Sequence, residues 1–410
     1  MAIIVQKYGG TSVADAERIR AVADRVAATR LEGHRVVVVV SAMGHTTDEL
    51  VKLAADVSPN SHLREMDMLL TAGERISMAL LAMAIRDRGV EALSLTGSQA
   101  GILTDTSHGS AKIRDIRAIR VQEGLEEGRV VIVAGFQGVS PDTKEITTLG
   151  RGGSDATAVA MAAFLGADVC EIYTDVDGVF TADPRLVPGA RKLPVLSYEE
   201  MLEFAAAGAR VLMARSVEFG RRYKVPLHVR SSFHDGEGTW IKEEGMEDAV
   251  VSGVAHDDAG AKVTVQGVPD RPGVAASVFD PIAEAGIPVD MIVQNVATSG
   301  HTDISFTVPR DLAERARLAA AAAAERLGAA GVDVNANIAK VSVVGAGMGS
   351  APGIAARMFA VLAEAEINIQ MISTSPIRIS CVIDGSRVGD AVRVLHEAFD
   401  PPVAGEGGSS

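Results

Sequence analysis

Thr147-Thr148-Leu149-Gly150-Arg151-Gly152-Gly153-Ser154-Asp155 sets a fixed cation beside a glycine pair, a hydroxyl and an acid, where a helical pattern starts at Ala156. Backbone N–H groups at a helix start attract anions, and a guanidinium grips a carboxylate bidentately. The run suits a small anionic substrate held next to a phosphate in transfer, although a capped surface turn uses the same residue types. Its company matters. Near the amino terminus, Ile3-Ile4-Val5-Gln6 is a short apolar strand that runs into Lys7-Tyr8-Gly9-Gly10-Thr11-Ser12, with helical periodicity from Asp15. Strand, lysine, glycine pair and helix is the order that lets amides approach a polyphosphate with one ammonium beside them. It is not a Walker A loop, and a plain strand-to-helix turn fits it too. Farther on, the strand Val169-Cys170-Glu171-Ile172-Tyr173 ends in Thr174-Asp175-Val176-Asp177-Gly178-Val179-Phe180, followed by Ala182-Asp183-Pro184-Arg185.

From residue 1 to about 230, strands alternate with helices. Arg35–Val40 and Arg129–Ala134 are unbroken apolar runs of the kind buried in parallel sheets. Val225–Val229 is a weaker candidate, because Pro226 suits a strand start or edge. Helices are predicted at about 62–88, 154–166 and 197–222. The order implies an α/β fold: an open, mostly parallel sheet covered by helices on both faces, with ligands outside the carboxyl ends of the strands. All three segments above lie at such ends.

Residues 233–248 are rich in Gly, Glu, Asp and Lys and read as a linker. An internal repeat follows. Lys262-Val263-Thr264-Val265-Gln266-Gly267 with Pro272-Gly273-Val274-Ala275-Ala276 recurs as Lys340-Val341-Ser342-Val343-Val344-Gly345 with Pro352-Gly353-Ile354-Ala355-Ala356. Each copy continues helix, strand, strand, helix: Ile287–Val296 and Asp303–Val308 in the first, Ile367–Ser373 and Ile377–Ile383 in the second. These are two α+β units of βαββαβ type. The first still has Val332–Asn335 as a final strand, whereas the second runs out after its helix Val388–Phe399, so Ala249–Val254 is expected to complete the second sheet and interlock the two. The expected division is 1–232 an α/β domain, 233–248 linker, 249–336 first repeat unit (249–256 joining the other sheet), 337–403 second repeat unit, and 404–410 a disordered tail.

A chain of 410 residues has room for two or three domains. Lys and Arg number 39 against 53 Asp and Glu, and the net charge of −14 argues against nucleic acid or an anionic membrane as partner. Cys170 and Cys381 lie in apolar strand-like runs and read as buried, reduced thiols. Met1 leads straight into a strand that carries function, so no leader is expected. Nor does any apolar run approach the ~20 residues of a membrane span. The expected location is the cytoplasm.

Taken in order, these segments closely resemble the aspartokinases, members of the amino-acid kinase family. The match extends through Ser41-Ala42-Met43, Thr46-Thr47-Asp48-Glu49-Leu50 and Leu70-Thr71-Ala72-Gly73-Glu74-Arg75. It takes in the repeats as paired ACT domains, and so covers essentially the whole chain. The resemblance implies ATP-dependent phosphorylation of the side-chain carboxylate of L-aspartate to 4-phospho-L-aspartate, the first step towards lysine, threonine and methionine. It implies ATP and Mg2+ as cofactors, with no dedicated protein cage for the metal.

By the same resemblance Lys7 and Asp155 are catalytic, Lys7 bridging phosphates and Asp155 organising the lysine and loops. Lys7, Tyr8, Gly9, Gly10, Thr174, Asp175, Phe180, Asp183, Arg185 and Arg210 hold ATP. Arg210 stands where the family usually has lysine, and Phe180 where tyrosine is common. Arg151 clamps the α-carboxylate of aspartate and Glu74 pairs with its ammonium, while Ser41, Thr47 and Ser154 add hydroxyls. Thr71-Ala72-Gly73 reads as a helix break beside Glu74. A solvated face is the plain alternative for a helical glutamate.

An effector pocket is expected where Asp270, Asp290, Gln294 and Asn295 face Asn368, Ile369 and Ser375, with lysine and threonine as the family's usual ligands. Pro288, Ala355 and Pro376 stand where relatives usually have Asn, Thr and Glu, which removes donors and charge, so weakened feedback inhibition is expected. Partners expected are a homo-oligomer through ACT sheet edges, or a heterotetramer with a short chain starting near Met246. Two alternatives compete with aspartate phosphorylation. Against another carboxylate kinase of the fold stand the ACT repeats and the 147–155 run. Against a catalytically silent amino-acid sensor stands the joint presence of Lys7, Glu74, Arg151 and Asp155.

Overall fold

The structure, a computed structural model, describes residues 1–58, 60–209, 211–243, 250–295 and 300–399. The chain opens with β1 (Ile3–Tyr8), α1 (Ala16–Leu31), β2 (Arg35–Val40), α2 (Thr46–Val57), α3 (Leu63–Arg86) and β3 (Ala92–Leu95). There follow β4 (Ile102–Thr104), β5 (Ile113–Ile116), α4 (Ile119–Glu126), β6 (Val130–Ala134), β7 (Gln137–Val139) and β8 (Ile146–Thr148). Then come α5 (Gly153–Leu165), β9 (Val169–Thr174), β10 (Val195–Ser197), α6 (Tyr198–Ala206), α7 (Ala214–Tyr223), β11 (Leu227–Ser231) and β12 (Thr239–Lys242).

Among the described residues the main sheet runs β10-β12-β11-β9-β1-β2-β6-β3, and from β11 to β3 every pairing is parallel. The valines of β2 explain the layers. Val36, Val38 and Val40 enter a core with Ile19, Val22 and Val26 of α1 and Leu81 and Ile85 of α3. Val37 and Val39 enter the opposite core with Val121 of α4 and Val159 of α5. A strand apolar on both faces needs helices on both sides, which is the α/β sandwich expected. β4, β5, β7 and β8 form a small separate sheet against α3.

Four local expectations are corrected. Residues 239–242, assigned to a linker, form β12, whose buried Thr239 and Ile241 alternate with exposed Trp240 and Lys242. That strand covers β11, and Pro226 stands just before the start of β11, one of the two places expected of it. The helix predicted over 197–222 is two, because the chain leaves α6 at Ala207 and Gly208 turns left-handed at φ +107°. And α3 runs unbroken through Gly73. A glycine costs only ~1 kcal/mol in a helix, and here it is wanted for close approach: a Cβ at Gly73 would stand 2.6 Å from that of Ala42. By length and mean hydropathy α3 is also a segment able to cross a membrane, contrary to expectation. Half of its apolar window is buried in the domain and Glu74 lies midway, as in a core helix.

The carboxyl-terminal region holds β13 (Gly253–Asp257), β14 (Gly260–Pro269), α8 (Val274–Glu284), β15 (Ile292–Gln294), β16 (His301–Pro309), α9 (Ala313–Leu327) and β17 (Gly331–Asn335). It continues with β18 (Ile338–Val344), α10 (Ile354–Glu364), β19 (Met371–Ser375), β20 (Arg378–Asp384) and α11 (Val388–Phe399). Its sheets have the orders β15-β16-β14-β17 and β13-β18-β20-β19. β13 precedes the first repeat in the chain yet pairs with β18 of the second, from Gly253↔Val344 to Asp257↔Lys340. It starts later than 249–254, since Ser252 still turns its side chain to Glu200 of α6. The tail 404–410 lies outside the described residues. Cys170 of β9 and Cys381 of β20 are free, buried thiols, and burial raises the pKa of both.

Candidate active site

Parallel strands β1, β2, β6 and β9 end together at one edge of the sheet, where the loops after them meet. Alternation along β1 sends Lys7 and Tyr8 to opposite faces. Lys7 Nζ lies 2.6 Å from Asp155 Oδ1 in the first turn of α5, with 11% of each side chain exposed. The contact is one of charge, since Oδ1 lacks an aligned hydrogen-bond donor. An acid at a helix start is favoured by the helix dipole, and here it also holds the ammonium in place. A Cβ at Gly9 would come 3.3 Å from Nζ, so the glycine leaves the cation's approach open. Gly10 O accepts from Gly44 N at 3.0 Å and joins the first loop to the one after β2. The Tyr8 ring is fully buried and stacks on Tyr173, 4.7 Å between centroids, in the core beneath α1. This corrects Tyr8 as a side-chain contact for ATP; only its backbone is at the strand end.

Glu74 is 3% exposed. Its Oε1 accepts from Ala42 N at 3.1 Å, because Gly73 lets the loop after β2 lie on the helix. Oε2 is buried without a partner, and desolvation raises the carboxyl pKa to about 7. An unpaired buried carboxylate oxygen is costly unless a cation meets it. Ser41 and Thr47 are half-buried on the same loop and the first turn of α2. Ser154, buried, packs against Gly135 at the end of β6. Arg151 is exposed on a turn between left-handed Gly150 (φ +74°) and Gly152 (φ +70°), with no acidic partner among the described residues. A buried anionic group lacking a cation and an exposed guanidinium lacking an anion are the two poles an α-amino acid would satisfy.

At the end of β9, Thr174 Oγ1 donates to Asp175 Oδ1 at 3.2 Å, and Phe180 is half-buried in a bridge to Lys192. Asp183 and Arg185 engage each other at 2.6 Å, which holds Asp183 below the usual carboxylate range while the guanidinium stays 86% exposed. Arg210 lies outside the described residues. Sequence reasoning missed two side chains that brace the backbone at 148–149, ahead of Arg151: Asp67 of α3 and Arg215 of α7. Asp67 left one signal, its spacing of seven from Glu74 on one helix face; Arg215 left none.

The seven residues assigned to an effector pocket are not gathered into one. Asp270 N bonds Gly300 O beyond one end of β16, while Asp290 N bonds Thr307 O near the other. Seven residues of strand separate those anchors, ~20 Å at 3.3 Å each. Asp290 pairs with Lys340, whose Nζ also donates to Ala206 O of α6. Gln294 and Asn295 are exposed on and after edge strand β15, and Asn368 and Ile369 precede edge strand β19. Ser375 turns away to the catalytic domain, donating to Glu203 Oε1 at 2.6 Å beside Arg378. Pro376 sits in the two-residue turn between Ser375 and Arg378 and tightens that hairpin. A cavity of about 380 Å³ opens where Ala206, Asp257, Pro288, Asp290, Ile338 and Lys340 meet.

Residues 2–231 match the amino acid kinase family, and residues 263–323 and 341–399 each match the ACT domain. The aspartokinase of Mycolicibacterium smegmatis is 59% identical over 405 residues, covering 97% of this chain and 96% of that one. The crystal structure of E. coli aspartokinase III in complex with aspartate and ADP (R-state) superimposes with a TM-score of 0.82 at 26% identity, over 97% of this chain and 99% of that one. Its complex with lysine and aspartate (T-state) gives 0.75 at the same identity and coverage. With a family match over more than half its length, a close relative over nearly all of it, and both ACT repeats in place, the chain belongs to the amino acid kinase family, and within it to the aspartokinases.

Proposed function

We propose that the chain transfers the γ-phosphoryl group of ATP to the side-chain carboxylate of L-aspartate, giving 4-phospho-L-aspartate. The observation that carries this is the buried Lys7–Asp155 pair beside Gly9-Gly10, where four parallel strands end. Phosphoryl transfer to a carboxylate needs alignment and neutralised charge rather than a general base, because the aspartate nucleophile is already ionised at neutral pH. Lys7 would neutralise charge on the moving group, with Asp155 fixing the ammonium until phosphate arrives. Thr174, Asp175, Phe180 and Arg185 line the nucleotide side, the backbone of residues 8–10 the phosphate side. Mg2+ would be carried by phosphate oxygens and water, with Asp155 and Asp175 as hard oxygen groups that fit its outer sphere. When bound it neutralises phosphate charge.

Recognition of aspartate rests on Glu74 for the ammonium and Arg151 for the α-carboxylate, with Ser41, Thr47 and Ser154 around them. Arg151→Ala should raise the aspartate KM roughly a hundredfold while kcat changes little, since it deletes a ground-state clamp. An unchanged KM would remove Arg151 from the substrate site. ADP release in a coupled assay, run with aspartate beside glutamate and acetylglutamate, tests the activity as a whole: a preference for either competitor would sink it.

ACT domains imply amino-acid control, and E. coli aspartokinase III has been captured with lysine. For this chain lysine and threonine are the effectors proposed, with inhibition blunted. Pro288 cannot donate, Ala355 lacks a hydroxyl and Pro376 lacks a carboxylate. Each lost contact costs roughly 1–3 kcal/mol, and Pro288, which lines the cavity beside Asp290 and Lys340, is the one placed to weaken binding there, by roughly five- to a hundredfold. Titrating both amino acids against kinase activity decides the point, and half-inhibition well below millimolar would overturn it. The exposed edges β15 and β19, with Ile292 and Ile372 outward, are the surfaces proposed for assembly with another copy or a short regulatory chain. Met246, the proposed start of such a chain, lies outside the described residues.

A further inference from the structure

Asp67 is fully buried on α3, seven residues before Glu74 and on the same helix face. Its Oδ1 accepts from Thr148 Oγ1 at 2.6 Å and from Gly109 N at 3.0 Å, and its Oδ2 lies 2.6 Å from His108 Nδ1. Thr148 closes β8, three residues before Arg151. From the other side Arg215 of α7 donates to Leu149 O and to Ala111 O, both at 3.1 Å, and Ala111 N donates to Thr148 O at 2.8 Å. The backbone that leads into the Gly150-Arg151-Gly152 turn is thus held by one charged side chain from each of two helices. No Lys or Arg pairs with Asp67 among the described residues. A buried carboxylate whose one possible cation is a histidine is a poor way to stabilise a loop, since a neutral side chain avoids its desolvation cost. Its advantage is stiffness, because charge-assisted bonds are short and directional.

We infer that Asp67 is a positioning residue for aspartate: through Thr148 it fixes where Arg151 reaches. One rigid helix then sets both poles of the substrate, the ammonium directly by Glu74 and the α-carboxylate indirectly by Asp67. This rests on Arg151 being the α-carboxylate clamp. The spacing between the poles would be held in the free enzyme, so binding pays little to order the turn.

The test uses the full-length enzyme and separates kcat, aspartate KM and ATP KM for Asp67→Asn, Thr148→Val, Thr148→Ser, Arg151→Ala and the Thr148→Val/Arg151→Ala double variant. Thr148→Val and Asp67→Asn should raise the aspartate KM roughly tenfold, with kcat and ATP KM within about twofold, and Thr148→Ser should restore the parent value. The double variant should bind aspartate no worse than Arg151→Ala alone, because Thr148 acts through Arg151. If Asp67→Asn does not fold, the isosteric Thr148→Val carries the test. An aspartate KM unmoved by Thr148→Val, where Arg151→Ala does raise it, overturns the positioning role and leaves the clamp standing. So does a joint rise of both KM values with a fall in kcat, the pattern of general structural damage. An Arg151→Ala enzyme with normal aspartate KM instead sinks the clamp itself.

Discussion

Lys7→Ala is expected to lower kcat by roughly a thousandfold or more, with the aspartate KM changed by no more than about threefold. The ammonium is nine-tenths buried and already held 2.6 Å from Asp155, so it is preorganised for a charge that develops only as the phosphoryl group moves. Removing it forfeits stabilisation in the transition state, while aspartate is held elsewhere, by Glu74 and Arg151. Truncation also strands Asp155 as a buried, unpaired acid, which costs folding stability and should show as a lower Tm. Lys7→Arg should not rescue the activity. A guanidinium is bulkier and splits its charge over a fork, and the space between Gly9 and Asp155 suits a compact ammonium. Steady-state kinetics with either variant, keeping more than about a tenth of the parental turnover, would remove Lys7 from the reaction.

Glu74→Gln should raise the aspartate KM roughly a hundredfold and at the same time stabilise the free enzyme at alkaline pH. Burial lifts the Glu74 carboxyl from 4.5 to about 7. Between those two values the folded protein keeps the proton and the unfolded chain has lost it, so stability is full below pH ~4.5 and falls as pH rises to ~7. The loss is ~3 kcal/mol from this one residue. Glutamine avoids that loss, so its Tm should exceed the parent's at pH 8 by several degrees and match it near pH 4.5. Aspartate binding has the opposite dependence. Its ammonium needs the ionised carboxylate, so kcat/KM for aspartate in the parent should fall as pH drops below about 7. That limb should vanish in Glu74→Gln. A variant with lowered Tm at pH 8, or with an unchanged aspartate KM, would show that Glu74 is not held ready for a cation.

Much of the architecture was legible in residue order because the signals are local. Five consecutive valines in β2 can be buried on both faces only in a covered parallel strand, and the Lys7-Tyr8-Gly9-Gly10 and 147–155 runs fell at strand ends where such folds bind ligands. The second repeat's missing strand was visible as a shortage. Glycines were ambiguous, since the same residue ends a helix at Gly208 and continues one at Gly73. Propensity is weak and packing decides between the two. Tyr8 was misplaced for a related reason: a motif names neighbours in sequence, whereas strand alternation sends adjacent side chains to opposite cores.

By itself, then, the sequence determined the periodicities, the loop chemistry and the repeat, each a property of residues close together in the chain. The tertiary structure alone decided which strand completes which sheet, with β13 crossing to β18. It decided that Glu74 keeps one oxygen without a partner and that Asp67 meets Thr148. It also turned Ser375 to Glu203 rather than to an effector pocket. Such contacts join residues tens to hundreds of positions apart. Their energies come from burial and pairing that exist only once the helices have packed, so no local pattern encodes them.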